Sequence, residues 1–372
     1  MSGTDQTQKT DSRREDYYAR IRALNAAPLW ERYHGLLTPE PKVAAVPHLW
    51  PYMELRPRII EAADLISARD AERRVLMLEN PAFEGQCKAS ETLFTGLQLI
   101  MPGEIAPAHR HSPNALRLIL EGSGAYTSVN GEKTFMEYGD FIITPNWCWH
   151  DHGHEGTEPV IWQDILDLPL VRSLGPMFHE GYPNERFPEG PPSGDSLRRF
   201  GSNLLPVGYE NTRLGSPIFA YPFAHTRETM EELSKTTKLD RYFGLKMEFI
   251  DPTSGGPAMS TISSFMQRLP KRFKTERVQS TETQIFTCLE GKGRVRIGED
   301  LQTFEFSPKD IFVVPCWCPY SIEVDDDTYL FVGSDRIVQQ RLGLFREQRG
   351  NAEETHKKIA IAAGYSTPVL FR

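Results

Sequence analysis

The chain contains two copies of one sequence pattern. Residues 120–124 (LEGSG) recur as residues 289–293 (LEGKG), and residues 139–147 (GDFIITPNW) recur as residues 309–317 (KDIFVVPCW). The interval between the two blocks agrees to within one residue in both copies. A pattern that repeats with its spacing intact is typical of a duplicated structural unit, and 372 residues are enough for two domains with cores of their own.

Short strands separated by turns surround the first copy. Asn130-Gly131 lies between two of them and favours a type I′ hairpin. Many short antiparallel strands at even spacing are typical of a jelly-roll barrel. We therefore predict a mainly β protein with two jelly-roll β-barrels, N-terminal helices and a C-terminal helix. The candidate strands of the first barrel are Leu93–Met101, Leu116–Glu121, Gly124–Val129, Lys133–Met136, Asp140–Thr144 and Val160–Leu166.

Changes in polarity, apolar spacing and Pro/Gly content along the sequence divide the chain into six expected parts. A polar start predicts a disordered arm, apolar residues at helical spacing predict helices, and a Pro/Gly-rich stretch predicts a connector. The expected parts are 1–16 (disordered arm), 17–74 (helical segment), 75–170 (first barrel, metal-binding), 171–240 (connector with a helix), 241–346 (second barrel, without metal) and 347–372 (C-terminal segment).

Charge and cysteine content narrow the class of protein. The net charge of −8, with basic residues scattered, excludes an electrostatic footprint for nucleic acid. No apolar run reaches membrane-spanning length, and we see no layout typical of a signal peptide. The five cysteines form no C-x-x-C pair, as expected for free thiols in a reducing compartment. We expect a cytoplasmic protein with no nucleic-acid or membrane partner.

Three histidines of the first copy predict a metal site. His109 and His111 are two residues apart, so on a β-strand both side chains point to the same face. His150, on a returning strand, would complete a facial triad that leaves coordination positions open. Neutral imidazole is a ligand for iron, copper, nickel or zinc.

The second copy lacks all three imidazoles. Counted from the shared residues, Val278, Ser280 and Tyr320 take the places of His109, His111 and His150. Turn-forming glycine and proline positions belong to a scaffold, whereas histidines do not. We therefore expect a metal in the first barrel only.

The same residues carry a resemblance to a known family. Gly103-x5-His109-x-His111 with Gly122, and Gly139-x5-Pro145-x-Trp147-x2-His150, resemble the two cupin motifs, although Ala115 stands where most cupins have a glutamate. The duplication resembles a bicupin. Within cupins, the sequence most resembles the gentisate 1,2-dioxygenase family, which includes salicylate and 1-hydroxy-2-naphthoate dioxygenases. The segments that carry this resemblance are 97–104 (LQLIMPGE), 108–122 and 147–153 (WCWHDHG).

This resemblance implies a reaction. The family uses Fe(II) and O2 for extradiol-type cleavage of an ortho-hydroxylated aromatic carboxylate, giving maleylpyruvate from gentisate. Alternatives within the family are salicylate, a 5-substituted salicylate and 1-hydroxy-2-naphthoate. Two alternatives come from other functional classes. One is a non-catalytic bicupin binding protein, and the other is an isomerase or decarboxylase that uses Mn(II) or Zn(II). The family also implies a homo-oligomer, commonly a tetramer.

Arg117 and His152 are further candidates from strand parity. Arg117 shares the parity of His109 and His111 and would point into the barrel, either to bind a substrate carboxylate or to form a permanent ion pair with Asp164 or Glu104. His152 shares the parity of His150, and would accept a proton from a ring hydroxyl or support a neighbour.

The resemblance also implies a substrate pocket. Phe94, where relatives more often carry Tyr or Trp, keeps an aromatic wall without a hydrogen-bond donor. Trp162 shares a strand face with Asp164, which we also expect to be catalytic. The expected pocket residues are Phe94, Gly96, Gln98, Arg69, Arg73, Arg117, Trp162 and Asp164.

Overall fold

The computed structural model describes residues 3–212 and 214–350, without the side chains of residues 3–11, 68 and 69. The chain divides into two units, Met1–Lys42 and Val43–Arg372. Among the described residues, no helix combines the length and the apolar character needed to cross a membrane.

The first unit is helical. It contains α1 (Gly3–Ala23), a 3-10 turn (Leu29–Glu31) and α2 (Tyr33–Leu36). Residues 3–16, expected to be a disordered arm, therefore lie in a helix. No glycine or proline interrupts residues 4–27, and Gln, Lys, Arg and Ala are good helix formers, which outweighs the low apolar content of the segment. Trp30 Nε1 donates a hydrogen bond to Tyr18 Oη at 3.0 Å.

The second unit contains the first barrel, which is built from two antiparallel sheets. Its strands are β2 (Arg74–Met77), β3 (Phe94–Ile100), β4 (Ile105–His111), β5 (Ala115–Glu121), β6 (Ala125–Val129), β7 (Glu132–Phe135), β8 (Phe141–Thr144), β9 (His150–His154), β10 (Val160–Leu166), β11 (His179–Gly181) and β12 (Ala220–Tyr221). One sheet has the order β12-β8-β5-β10-β3-β2, and the other has the order β11-β4-β9-β6-β7.

The second barrel has the same plan. Its strands are β1 (His48–Trp50), β13 (Leu245–Glu248), β14 (Ser263–Leu269), β15 (Val278–Ser280), β16 (Gln284–Glu290), β17 (Gly293–Ile297), β18 (Gln302–Phe306), β19 (Ile311–Val314), β20 (Tyr320–Val324), β21 (Thr328–Ser334) and β22 (Glu347–Arg349). The sheet orders are β1-β19-β16-β21-β14-β13 and β18-β17-β20-β15-β22, which match the first barrel strand for strand.

Helices of this unit lie between or beside the strands. They are α3 (Tyr52–Leu65), α4 (Ala68–Ala71), a 3-10 turn (Pro81–Phe83), α5 (Leu168–Leu174), α6 (Asp195–Phe200), α7 (Phe223–Thr236) and α8 (Arg336–Arg341). The prediction of a mainly β, duplicated fold is confirmed. Each of the six predicted strands is present to within one residue at either end, and Asn130 and Gly131 have the positive φ angles, 49° and 89°, of a type I′ hairpin.

Short edge strands change the expected boundaries between the parts. β1 falls in the segment expected to be helical and pairs with β19 of the second barrel, while β11 and β12 fall in the expected connector and pair with the first barrel. Strands of two or three residues are too short to show a period-2 pattern, so the sequence could not reveal them. Of the expected C-terminal segment, residues 347–349 form β22 and residues 351–372 lie outside the described residues. The expected C-terminal helix has its nearest described counterpart in α8, which precedes that segment.

The six-stranded sheets of the two barrels pack against each other. Ile165 of β10 and Phe331 of β21 belong to one hydrophobic cluster that spans both barrels. A Cβ at Gly333 would lie 2.7 Å from Ile165 Cδ1, which shows how closely the two sheets approach at this point. Thr287 Oγ1 of the second barrel donates a hydrogen bond to Gln163 Oε1 of the first, and both residues are fully buried.

Replacing Thr287 with valine is expected to destabilise the protein. The nearly isosteric change leaves the buried carbonyl of Gln163 without its donor, at a cost of about 1–3 kcal/mol in the free energy of unfolding. Urea denaturation measures the effect as a lower midpoint. The control is Thr303→Val on β18, where the side chain is exposed, and there we expect a change within about 0.5 kcal/mol. Equal midpoints for the two variants would contradict the interpretation.

Candidate metal centre

Three histidines converge on the inner face of the first barrel. β4 carries His109 and His111, and β9 runs antiparallel beside it with His150 directly opposite His109. One imidazole nitrogen from each of the three residues lies within 4.8 Å of the others. Among the described residues this is the one set of His, Cys, Asp or Glu side chains placed to hold a metal ion.

Backbone carbonyls fix the orientation of two of the rings. His111 Nδ1 lies 2.8 Å from Pro113 O, and His150 Nδ1 lies 3.0 Å from Cys148 O. A carbonyl only accepts, so in both rings Nδ1 carries the hydrogen and Nε2 keeps its lone pair. His150 Nε2 is buried and has no hydrogen-bond partner. An unpartnered buried nitrogen among two other imidazoles is the donor set that a divalent transition metal fits.

The imidazoles are held neutral. Burial is the main cause that lowers the pKa of His109 to about 2 and that of His111 to about 4, and nearby cationic side chains act in the same direction. Burial also holds the pKa of His150 well below its ordinary value. Neutral rings offer lone pairs without first releasing a proton.

A strained turn sets the register of β9 against β4. Trp147 has a positive φ of 59°, and its backbone N–H donates to His111 O at 2.8 Å. The second barrel repeats this turn, because Trp317 has φ 60° and donates to Ser280 O at 2.7 Å. The turn is therefore part of the shared scaffold. In the second barrel it brings Tyr320 opposite Val278, where the first barrel has His150 opposite His109.

Arg117 lies inside the first barrel beside Asp164. The two residues are opposite each other on β5 and β10, with 3.6 Å between Arg117 Nε and Asp164 Oδ1. Arg117 Nη1 donates to Thr144 Oγ1, while Nε is buried and has no hydrogen-bond partner. Burial lowers the pKa of Arg117 and raises that of Asp164 to about 6. Glu104, the other partner considered from the sequence, is paired with Arg74.

His152 and Trp162 border the histidine group. The His152 and His150 ring centroids are 6.0 Å apart, and the Trp162 ring lies 5.3 Å from His152. His152 Nδ1 lies 3.0 Å from Thr127 Oγ1, and its Nε2 is buried without a partner. Trp162 Nε1 donates to Asp164 Oδ1 at 3.1 Å, which orients the carboxylate that faces Arg117.

The expected pocket residues of β3 line the same interior. Gln98 is opposite Trp162 and Gly96 is opposite Asp164, in the register that links β3 to β10. Phe94 and Gln98 are buried. A Cβ at Gly96 would lie 2.7 Å from Val75 Cγ1 and 2.9 Å from Leu76 O, so only glycine fits there without a shift of β2.

The two expected arginines differ in what the structure describes. The half-buried Arg73 donates to Pro107 O at 2.9 Å and contacts His109 Nδ1. Loss of water around its guanidinium lowers the pKa of Arg73 to about 9. Arg69 lies in α4, and its side chain is outside the described part of the chain.

Sequence reasoning missed one histidine near the group. His179 has no other histidine at metal-ligand spacing in the sequence, yet it lies on β11 and pairs in register with His111. Its ring centroid is 5.0 Å from that of His109. A three-residue strand within a Pro/Gly-rich connector gives no periodic signal that could have placed it.

The chain is similar to known proteins over most of its length. Residues 96–168 match the Cupin domain model. The sequence is 46% identical to gentisate 1,2 dioxygenase 1 of Aquipseudomonas alcaligenes, over 94% of this chain and 100% of the relative. It is 35% identical to gentisate 1,2-dioxygenase of a Streptomyces species, over 93% of this chain and 99% of the relative.

A solved structure is also similar. Salicylate 1,2-dioxygenase from Pseudoaminobacter salicylatoxidans, whose structure is described as adducts with gentisate, matches with a TM-score of 0.85 and 30% identity. The match covers 90% of this chain and 93% of that one.

Replacing His150 with alanine is expected to abolish stoichiometric metal binding, because two imidazoles alone hold a divalent ion much more weakly than three. Metal content after Fe(II) loading under anaerobic conditions measures this. His225→Ala in α7 removes an exposed histidine from the same chain and should leave the metal content unchanged. A His150→Ala protein that retains one metal per chain would contradict the assignment.

Metal affinity is expected to depend little on pH near neutrality. Protons compete with the metal only when the pH approaches the lowered pKa values of about 2 for His109 and about 4 for His111. Affinity for Co(II) should therefore change by less than about twofold between about pH 8 and about pH 6. Three exposed histidines of ordinary pKa would lose on the order of 50-fold over that range, and such a loss would contradict burial as the cause.

Proposed function

Because the chain belongs to the gentisate 1,2-dioxygenase family of cupins, we propose that it cleaves the ring of an ortho-hydroxylated aromatic carboxylate, with gentisate as first choice. The bond that breaks joins the carboxyl-bearing carbon to the adjacent hydroxylated carbon. Both oxygen atoms of O2 enter the product, which is maleylpyruvate when gentisate is the substrate, and no external reductant is consumed.

One observation carries this proposal: the neutral His109, His111 and His150 lie beside a buried arginine that lacks a full set of acceptors. A dication held by three neutral ligands keeps its whole charge, so it favours a chelating anion. A carboxylate with an adjacent phenolate supplies two negative charges. A ligand set with its own carboxylate would need such a substrate less.

We propose Fe(II) as the metal. Bound at His109, His111 and His150, it would supply the open coordination positions and the electrons through which the aromatic acid and O2 react. The unpartnered Nε2 of His150 supports a metal at this point.

The buried polar groups around this point have matching roles. Arg117 would hold the substrate carboxylate, since its Nε lacks a hydrogen-bond acceptor and Asp164 at 3.6 Å is too far to be one. Asp164 and Trp162 would keep that guanidinium in place. His152 Nε2, also unpartnered, would accept the proton of the ring hydroxyl.

The remaining pocket roles follow the family resemblance. Phe94, Gly96 and Gln98 would form the wall against the substrate ring, and this buried position supports the assignment for all three. We retain Arg73 as a substrate-binding candidate, which is supported by the position of its guanidinium beside His109. We retain Arg69 as a substrate-binding candidate at the barrel mouth.

Other substrates of the same class are the second candidate. Salicylate is favoured by the similarity to salicylate 1,2-dioxygenase, and a 5-substituted salicylate or 1-hydroxy-2-naphthoate by the Phe94 wall, which offers no hydrogen bond to a second hydroxyl. A non-catalytic binding protein fits less well, because it does not need a metal whose three ligands leave coordination positions open. We also propose a homo-oligomer in the cytoplasm, by the family resemblance.

Oxygen uptake by the Fe(II)-loaded protein tests the proposal. We expect one O2 consumed per substrate, with loss of aromatic absorbance, for gentisate ahead of salicylate, 5-substituted salicylates and 1-hydroxy-2-naphthoate. The control is the His150→Ala protein, which should consume none. If the wild-type protein binds iron but takes up no O2 with any of these acids, the proposed reaction is wrong. Turnover without O2 would instead support isomerase or decarboxylase chemistry.

A further inference from the structure

A segment outside the barrel runs along the strand that carries two of the histidines. We call residues 178–187 the strap. Its backbone is hydrogen-bonded to β4 and to Ser112, the residue after β4. Tyr182 N donates to Ala108 O at 2.8 Å, and Ser112 N donates to Phe178 O at 3.0 Å. Asp151 accepts a hydrogen bond from the backbone N–H of Phe187 at 3.0 Å. The strap is therefore fixed at the edge of the histidine-bearing sheet.

We call His109, His111 and His150 the metal group. The register of the strap decides which of its side chains face them. His179 lies opposite His111, Gly181 lies opposite His109, and Glu180 between them lies opposite Arg110. Directly opposite residues of an antiparallel pair point to the same face. His179 and Gly181 therefore share the face of the metal group, and Glu180 lies on the other face.

The contacts agree with this parity. The His179 ring lies 5.0 Å from the His109 ring at an angle of 34°. On the other face, Arg110 Nε donates to Glu180 Oε2 at 2.8 Å. The Arg110 guanidinium also lies 4.4 Å from the ring centre of Trp147.

On this side the metal group borders open space. A Cβ built on Gly181 would meet no atom within 4 Å, and the His179 side chain is exposed. On the opposite side His150, His152 and Trp162 are fully buried. The strap therefore borders the mouth of the site, and Arg117 lies at its closed end.

We propose that His179 is a specificity-determining residue, which contacts the metal-bound aromatic acid and hydrogen-bonds to the ring substituent farthest from the two chelating groups. This rests on the proposed function. A substrate that chelates the metal and extends its carboxylate to the buried Arg117 directs the far edge of its ring toward the mouth. An imidazole offers one donor or acceptor to that edge in either tautomer, whereas Phe94 offers none.

The same arrangement gives Gly181 a role. The absence of a side chain next to His109 leaves room for a substituent, or for entry of the ring itself. His179 would thus select among substituted hydroxybenzoates by hydrogen bonding, and Gly181 would set the size that fits.

The test compares gentisate with salicylate, which lacks the second hydroxyl. His179→Phe keeps a ring against His109 and removes the polar nitrogens. We expect kcat/KM for gentisate to fall about tenfold while that for salicylate stays within about twofold, as for the loss of one hydrogen bond. The dissociation constant for gentisate, measured anaerobically by calorimetry on the Fe(II)-loaded protein, should rise by a similar factor with unchanged iron content.

Two further variants sharpen the result. Gly181→Leu should raise KM for both acids at normal iron content, because it fills the space at the mouth. Glu180→Gln, on the other face of the same strand, should leave the gentisate-to-salicylate ratio and the dissociation constant unchanged. If Glu180→Gln shifts the ratio as His179→Phe does, the strap acts as a whole and the assignment to His179 is wrong.

The outcomes separate this inference from the proposed function. An active wild-type protein whose His179→Phe variant keeps the wild-type ratio, or loses both substrates equally, overturns the role of His179 alone. A wild-type protein that takes up no O2 but binds gentisate more tightly than the variant overturns the reaction and supports the contact. A wild-type protein that binds no hydroxybenzoate overturns both.

Discussion

The pairing of β4 with β9 is the constraint on which the site depends. It places His109 directly opposite His150, and the alternation of side chains along β4 adds His111 to the same face. A shift of one residue would turn the imidazoles to the other side of the sheet. The positive φ of Trp147 and its hydrogen bond to His111 O hold the register, so a strained turn outside the metal group fixes its geometry.

The two barrels share their scaffold and differ in the side chains of their interiors. Both keep the turn, the sheet orders and the hairpins, yet the interior positions differ in polarity. Phe286 occupies the place of Arg117 and stacks on Phe312 with centroids 4.8 Å apart, and its cross-strand partner is Val332 where Arg117 has Asp164. The apolar Phe286 and Val332 are stabilised by packing and need no hydrogen-bond partner. The buried Arg117 has the carboxylate of Asp164 3.6 Å from its Nε, beyond hydrogen-bond range, so the interior of the first barrel is polar at this position and keeps a buried donor without a partner.

Local patterns predicted the features that depend on near neighbours in the sequence. The strands of the first barrel, the Asn130-Gly131 hairpin and the same-face placement of His109 and His111 follow from period-2 alternation and turn chemistry. Features set by long-range pairing could not be predicted in this way. β1 joins a barrel that begins about 190 residues later in the chain, and β11 brings His179 to His109 through backbone pairing alone. The sequence allows either Asp164 or Glu104 as the partner of Arg117, and only the strand registers decide between them.

The second barrel still has a part in the site, because it supports the strand that carries Asp164. Thr287 donates to Gln163, Gln163 Nε2 donates to Thr95 Oγ1 at 2.9 Å, and Thr95 Oγ1 donates to the backbone carbonyl of Asp164 at 2.7 Å. This buried chain links the second barrel to β10 and to the edge of the pocket. Buried polar networks with every member satisfied restrict a structure to one arrangement. The second barrel, in which Val278, Ser280 and Tyr320 stand in place of the three histidines, therefore contributes rigidity, since the Arg117–Asp164 pair keeps its place only if β10 does.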